Sequence, residues 1–167
     1  MSAGASQTSD AETRAQLFDA AIGEFRRAAT EDEPLRATAN GLYALVSALN
    51  AEGPMMSASK VDDLVGALGA VVPHVVDCVA DDLTHDRIVV ALGAASRLVR
   101  LYAGPRALLE AEGEETVLDL GHATLWARGA LEELHHRREI QKRGDTLFRL
   151  TTGRVAFANA VNVGLLN

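Results

Sequence analysis

The sequence predicts an all-α protein, a single-domain helical bundle of five to seven helices. Three observations predict this fold. Apolar residues recur at every third or fourth position along most of the chain, as they do on one side of a helix. Alanine, leucine and arginine, all strong helix formers, are abundant. Proline occurs only four times in 167 residues, and 48% of the residues are hydrophobic, which is enough to fill a core.

The first part of the chain is predicted to contain a tail and four helices. Residues 1–10 are small and polar and are expected to form a flexible N-terminal tail, followed by one helical-bundle domain over 11–167. Because the residue before a proline avoids the helical region, Pro73 is predicted to separate the third helix from the fourth. The alternative is that the two helices are continuous through a kink. The four predicted helices cover residues 11–29, 35–51, 60–71 and 74–102.

The second part is predicted to form three helices that end at glycines. A short helix over 105–110 is followed by a loop at Gly113, and a long helix over 115–143 ends at Gly144. The last helix carries an apolar run over 155–166. Such a run either closes the bundle or forms a contact between subunits. A homodimer through this C-terminal apolar helix is therefore a hypothesis.

Composition and charge exclude several classes of protein. The formal net charge of −7 makes a nucleic-acid partner unlikely, because phosphate binding needs a basic surface. The longest uncharged runs have 13 residues, fewer than the roughly 18 of a membrane span. A single cysteine excludes a disulfide framework within one chain. Together with the polar N-terminus, which has no signal-peptide pattern, it predicts a cytoplasmic protein.

The histidines suggest a metal site. Four of the five follow a carboxylate by three residues, a spacing that puts both side chains on one side of a helix. An imidazole and a carboxylate so placed can bind the same ion, with Fe or Zn as the possible cofactor. The alternative is that these pairs only stabilise solvated helix surfaces. The candidate metal ligands are His74, Cys78, Asp82, His85, Asp119 and His122.

The predicted fourth helix carries a row of such residues on one face. His74, Cys78, Asp81 and His85 follow one another at spacings of four, three and four. Three helical turns are too long for a single ion, so at most two neighbours could bind together with residues of another helix. The alternative is a small buried cysteine among structural histidines.

His122 and Trp126 lie on the predicted long helix. His122 falls between Leu118 and Leu125 on a partly apolar face, with Asp119 one turn before it. It is a candidate general base or ligand, with Asp119 orienting its ring, or a core histidine whose nitrogens are hydrogen-bonded. Trp126, the only tryptophan, either anchors the core or lines a ligand pocket.

Arg128 and His135 are separated by six residues. This arrangement resembles the Arg-x4–6-His motif of HEPN-type helical ribonucleases. The resemblance implies that Arg128 would steady phosphate charge and that His135 would handle protons. It adds a ribonuclease as a remote alternative function.

Charge is unevenly distributed along the chain. From residue 137 onward six cations stand against two acids, a net +4, whereas residues 1–136 carry −11. Cations at the end of the long helix complement the negative helix terminus. The sharper interpretation is a docking patch for the acidic half of another copy, or for an acidic partner.

The sequence leaves open whether the protein is an enzyme. It contains no phosphate-binding glycine loop, no Gly-x-Ser-x-Gly turn and no His-Glu-x-x-His pattern. The first hypothesis is a binding protein that takes a protein partner or a small ligand held between helices. The alternative is a metal-dependent enzyme in which His85, His122 and neighbouring carboxylates meet inside the bundle.

Overall fold

The computed structural model describes residues 2–52, 55–78 and 82–162, and the side chains of 12–52, 55–78 and 83–147. Within these ranges the chain forms five α-helices and no strand, and 88% of it is helical. The predicted all-α bundle is therefore confirmed. The helices are α1 (Ser2–Ala28), α2 (Leu35–Asn50), α3 (Ala58–Val76), α4 (Asp82–Ala103) and α5 (Arg106–Asn162).

The first two helices follow the predicted pattern, except where α1 begins. α2 has the predicted bounds within one residue, and α1 ends one residue before the predicted end. However, α1 begins at Ser2 instead of Ala11. Small and polar residues such as those at its start do not favour a helix, but they do not prevent its extension. The flexibility of residues 1–10 stays a prediction.

Pro73 does not separate α3 from α4, so the predicted boundary there is wrong. It lies inside α3, and the helix continues to Val76, with the N–H of Asp77 donating to the Pro73 carbonyl at 3.0 Å. A proline inside a helix removes one hydrogen bond and costs about 3 kcal/mol. Val71 and Val75, on either side of Pro73, are fully buried. Their burial offsets the cost and keeps this segment helical.

Gly113 and Gly144 do not end helices either. The three helices predicted after residue 104 form the single helix α5. A glycine inside a helix costs only about 1 kcal/mol relative to alanine. Around Gly113 the helix is supported by buried Thr116, whose hydroxyl donates to the Glu112 carbonyl at 2.8 Å, and by fully buried Leu120.

The chain forms two compact units, residues 1–131 and residues 132–167. The first unit holds the core, in which α1 packs against α2 and α3 packs against α1 and α4. The domain bounds predicted from the sequence stay predictions. The largest fully buried side chains of this core are Phe25, Leu42, Leu45, Leu64, Ile88, Leu92, Leu98 and Leu120.

The second unit is the C-terminal part of α5. Every side chain described between residues 132 and 147 is exposed or half-exposed. The side chains of the apolar run over 155–166 lie outside the described residues, and with them the predicted homodimer contact. None of the helices, as far as they are described, is both long and apolar enough to cross a membrane.

Candidate functional site

Of the six large apolar side chains that α4 and α5 expose in the first unit, four are more than half exposed, and we call these four the Trp126 surface. They are Val90 (62% exposed), Leu118 (57%), Leu125 (62%) and Trp126 (66%). Isolated exposed leucines are normal in proteins, but a group of large apolar side chains on one face marks a surface that binds something.

Helix geometry explains why these side chains lie together on α5. Leu118, His122, Leu125 and Gly129 follow one another at spacings of four, three and four, so they share one face. Trp126 borders this face, and all five residues are exposed. The opposite face of the same helix enters the core. Among its buried residues are Leu120, Ala123, Ala127 and Ala130.

A groove runs between α4 and α5 beside the tryptophan. It has a volume of about 210 Å³ and is lined by Asp86, Arg87, Val90, Ala123 and Trp126. The Arg87 guanidinium lies 5.8 Å from the centre of the Trp126 ring, and its Nη1 donates to the Trp126 carbonyl at 3.4 Å. This cation–π contact favours one orientation of the exposed indole.

His122 lies in the middle of the apolar face of α5 and is exposed, so it is not a core histidine. Asp119 does not orient its ring. The Asp119 carboxylate pairs instead with Arg97 of α4, at 3.5 Å between Oδ2 and Nη2. The catalytic role of His122 stays a prediction.

The predicted row of His74, Cys78, Asp81 and His85 on one helix face is wrong. These residues do not share one helix, because α3 ends at Val76 and α4 begins at Asp82. His74 lies in the last turn of α3, Cys78 follows that helix, and His85 lies in α4. The side chains of Asp81 and Asp82 lie outside the described residues.

His74 and His85 instead join parts of the backbone. His74 Nε2 donates to the Glu31 carbonyl at 2.5 Å, and His85 Nε2 donates to the Val75 carbonyl at 2.7 Å. The last carbonyls of a helix lack partners within the helix. His85 therefore caps α3 from α4, and His74 ties α3 to the turn between α1 and α2.

The described side chains contain no group of three or more His, Cys, Asp or Glu that could hold a metal ion. Cys78, which follows α3 and is half-buried, therefore belongs to no such group among the described side chains. The metal site, with its possible Fe or Zn, stays a prediction.

Arg128 and His135 lie in different units. The Arg128 guanidinium lies 4.6 Å from the centre of the Tyr43 ring of α2, so it joins α5 to α2 by a cation–π contact. His135 is exposed on the second unit. The ribonuclease alternative also stays a prediction.

A wider cleft of about 540 Å³ lies near the turn between α4 and α5, with Met55, Tyr102 and Arg106 among its lining residues. Its exposed cation, Arg106, already pairs with Glu110 at 2.9 Å. Burial raises the pKa of Tyr102, although the charge of Arg14 partly opposes this. The cleft therefore offers no concentration of charge for a polar ligand.

Two features of the molecule were not anticipated from the sequence. Arg14 is 94% buried and donates to Met55 Sδ at 2.8 Å. It precedes the buried apolar residues Phe18 and Ala21 by four and seven residues, a spacing that places all three on one face of α1. That spacing is the signal that could have found it. Leu118 and Leu125 have the same seven-residue spacing as core residues, so nothing in the pattern marks them as exposed.

No protein-family model, no curated protein and no solved structure matches this chain.

Proposed function

We propose that this protein is a binding module for another protein and that the Trp126 surface is its contact site. The single observation that carries the proposal is the exposed tryptophan in cation–π contact with Arg87, beside three other exposed apolar side chains. Tryptophan and arginine are the residues that most often contribute large shares of the binding free energy at protein interfaces.

The shape and chemistry of the surface favour a protein partner that presents an apolar helix. The groove between α4 and α5 can take side chains of a helix laid along it. Exposed Gly129 lets another backbone approach closely. The groove, at about 210 Å³, is smaller than the roughly 300–1,000 Å³ of typical small-molecule sites. A small ligand is therefore the weaker interpretation.

We further propose that the module acts in the cytoplasm. A single cysteine is typical of proteins that work in a reducing compartment.

Photocrosslinking in the native cells tests the proposal. A benzophenone amino acid replaces Leu125 in one variant and Ala20, an exposed residue of α1, in the control. We expect a defined crosslinked protein from position 125 only. The partner, once identified by mass spectrometry and purified, should bind the unmodified chain.

A second substitution in the groove completes the test. Val90→Asp should weaken the binding of the purified partner by about tenfold or more, since a buried unpaired charge costs several kcal/mol. Equal crosslinking at positions 125 and 20, or binding unchanged by Val90→Asp, would contradict the proposal.

A further inference from the structure

We propose that the protein covering the Trp126 surface is a second copy of this chain, paired antiparallel along α5. This inference rests on the proposed function, because it names the partner of the same surface.

The order of charges along α5 favours this partner. Residues 110–119 carry five acids and no cation, whereas residues 137–143 carry four cations and one acid. Glu115 and Glu110 precede Trp126 by 11 and 16 residues, and Arg137 and Arg143 follow it by 11 and 17 residues. The two stretches of opposite charge are therefore equally far from Trp126 along the sequence.

This spacing selects the direction of pairing. In an antiparallel pair centred on Trp126, residues before the tryptophan in one copy face residues after it in the other. The acidic stretch of each copy then meets the basic stretch of its partner, and two-fold symmetry repeats the contact. A parallel pair would place like charges opposite each other. The charge order thus fits a second copy in one orientation.

Many of these charges are available for contacts between copies. Glu114 and Glu115 are exposed in the first unit, and Arg143 is exposed in the second. Among the described side chains, none of these three residues forms an ion pair within the chain. They are free to pair with a partner's charges at the edges of an apolar centre.

The centre of the pair is self-complementary. A two-fold interface brings the same patch of both copies together. Leu118, Leu125 and Trp126 supply apolar area without a formal charge, and exposed Gly129 allows close approach of the two helices. Burial of this area against its own copy removes from water the large side chains that the monomer leaves exposed.

The experiment measures the molar mass of the intact chain by sedimentation velocity at micromolar concentrations. We expect a dimer, and Leu125→Asp should weaken dimerisation by about tenfold or more because it places a charge in the apolar centre. Circular dichroism checks that the variant remains helical. A monomer of the intact chain, or a dimer that Leu125→Asp leaves unchanged, would overturn the inference.

A charge exchange tests the orientation. One variant carries Glu114→Arg and Glu115→Arg, and the other carries Arg143→Glu. Each alone should dimerise about tenfold or more weakly. An equimolar mixture should form a heterodimer as tight as the original dimer, because both contacts are then complementary. Arg36→Glu on α2, an exposed position outside the surface, is the matched control and should change nothing. No rescue in the mixture would contradict antiparallel pairing.

The two proposals fail in different ways. If the intact chain is a monomer and crosslinking at position 125 captures a different, identified protein, the proposed function stands and the second copy is wrong. If neither a dimer nor a crosslinked partner forms, both are wrong.

Discussion

The close packing of α1 against α2 depends on Gly41. A Cβ added to Gly41 would lie 2.7 Å from two ring carbons of Phe25, which is fully buried and has no room to move. We expect Gly41→Ala to lower the free energy of unfolding by about 1–3 kcal/mol through overpacking. Gly23→Ala on the exposed side of α1, where nothing lies within 4 Å, should instead raise it by up to about 1 kcal/mol. Urea denaturation measures both. Equal stabilities of the two variants would contradict the close contact.

His85 is expected to be structural. His85→Ala removes one of the two donors to the Val75 carbonyl, which then accepts only from the Cys78 N–H at 3.1 Å. The free energy of unfolding should fall by about 0.5–1.5 kcal/mol, the net contribution of one hydrogen bond. The exposed His122→Ala variant should leave it unchanged, and a chelator should not alter the melting of the original chain. If a chelator, His85→Ala and His122→Ala each lower the melting temperature, this result would support the metal hypothesis and contradict a purely structural role of His85.

Tyr102 is expected to make the stability of the folded protein depend on pH under alkaline conditions. Burial raises the pKa of its phenol above the ordinary value of 10.0, against a smaller lowering by Arg14. The folded state therefore holds the proton more tightly than the unfolded state does. Its contribution to stability is complete below the unfolded value and is lost as pH rises through the folded one.

Denaturation at a series of pH values checks this sign. We expect the loss of stability above about pH 10 to be smaller in Tyr102→Phe, which has no proton to lose. Tyr43→Phe should keep the loss seen in the original chain. If stability falls equally with pH in Tyr102→Phe and Tyr43→Phe, the burial of Tyr102 does not contribute to the loss of stability at alkaline pH.

Among the helices, the predicted bounds were accurate where local signals and core packing agree. α2 follows Pro34 and ends within one residue of the prediction. Ser57 caps α3 by accepting from the Lys60 N–H, so this helix begins two residues before the predicted start at residue 60. Pro73 and Gly113 were misread as boundaries because local rules omit the burial of neighbours such as Val75 and Leu120. Packing energy distributed over a helix exceeds the cost of a single unfavourable residue.

The candidate surface could be predicted only in part, and α5 shows why. His122 and Trp126 were recognised as unusual, but apolar residues lie on both sides of this helix. Leu120 faces the core, whereas Leu118 and Leu125 face outward. Periodicity shows that a face is apolar, but it cannot tell whether the chain's own core or a partner covers it.

Pro73 is expected to cost α3 stability despite its neighbours. Pro73→Ala restores an N–H that can donate to the Gly69 carbonyl, and we expect the free energy of unfolding to rise by about 1–3 kcal/mol. Pro34→Ala is the control, because a proline that precedes the first turn of α2 replaces no helical hydrogen bond. It should not stabilise the protein. Thermal and urea unfolding measure both variants, and a less stable Pro73→Ala protein would show that the ring contributes more than the missing bond.

In the whole molecule, the two units differ in their share of the buried core and in the sign of their net charge. Residues 1–131 hold the buried core and carry −9, whereas residues 132–167 carry +2. No side chain described between 132 and 147 is buried. The stability of the first unit should therefore depend little on that stretch, while self-association should depend on its basic residues.

Truncation separates these two dependences. A chain that ends at Glu133 keeps Leu120, Ala123 and Ala127 in the core. At concentrations low enough for the full chain to be monomeric, its free energy of unfolding should lie within about 1 kcal/mol of that of the full chain. It should also remain a monomer at concentrations where the full chain pairs, because it lacks the basic stretch. A chain that ends at Glu114 is the control and should lose cooperative unfolding, since it lacks these core residues. If the chain ending at Glu133 fails to fold, residues 134–167 supply core contacts. If it folds and still pairs, their proposed role in pairing two copies must be given up.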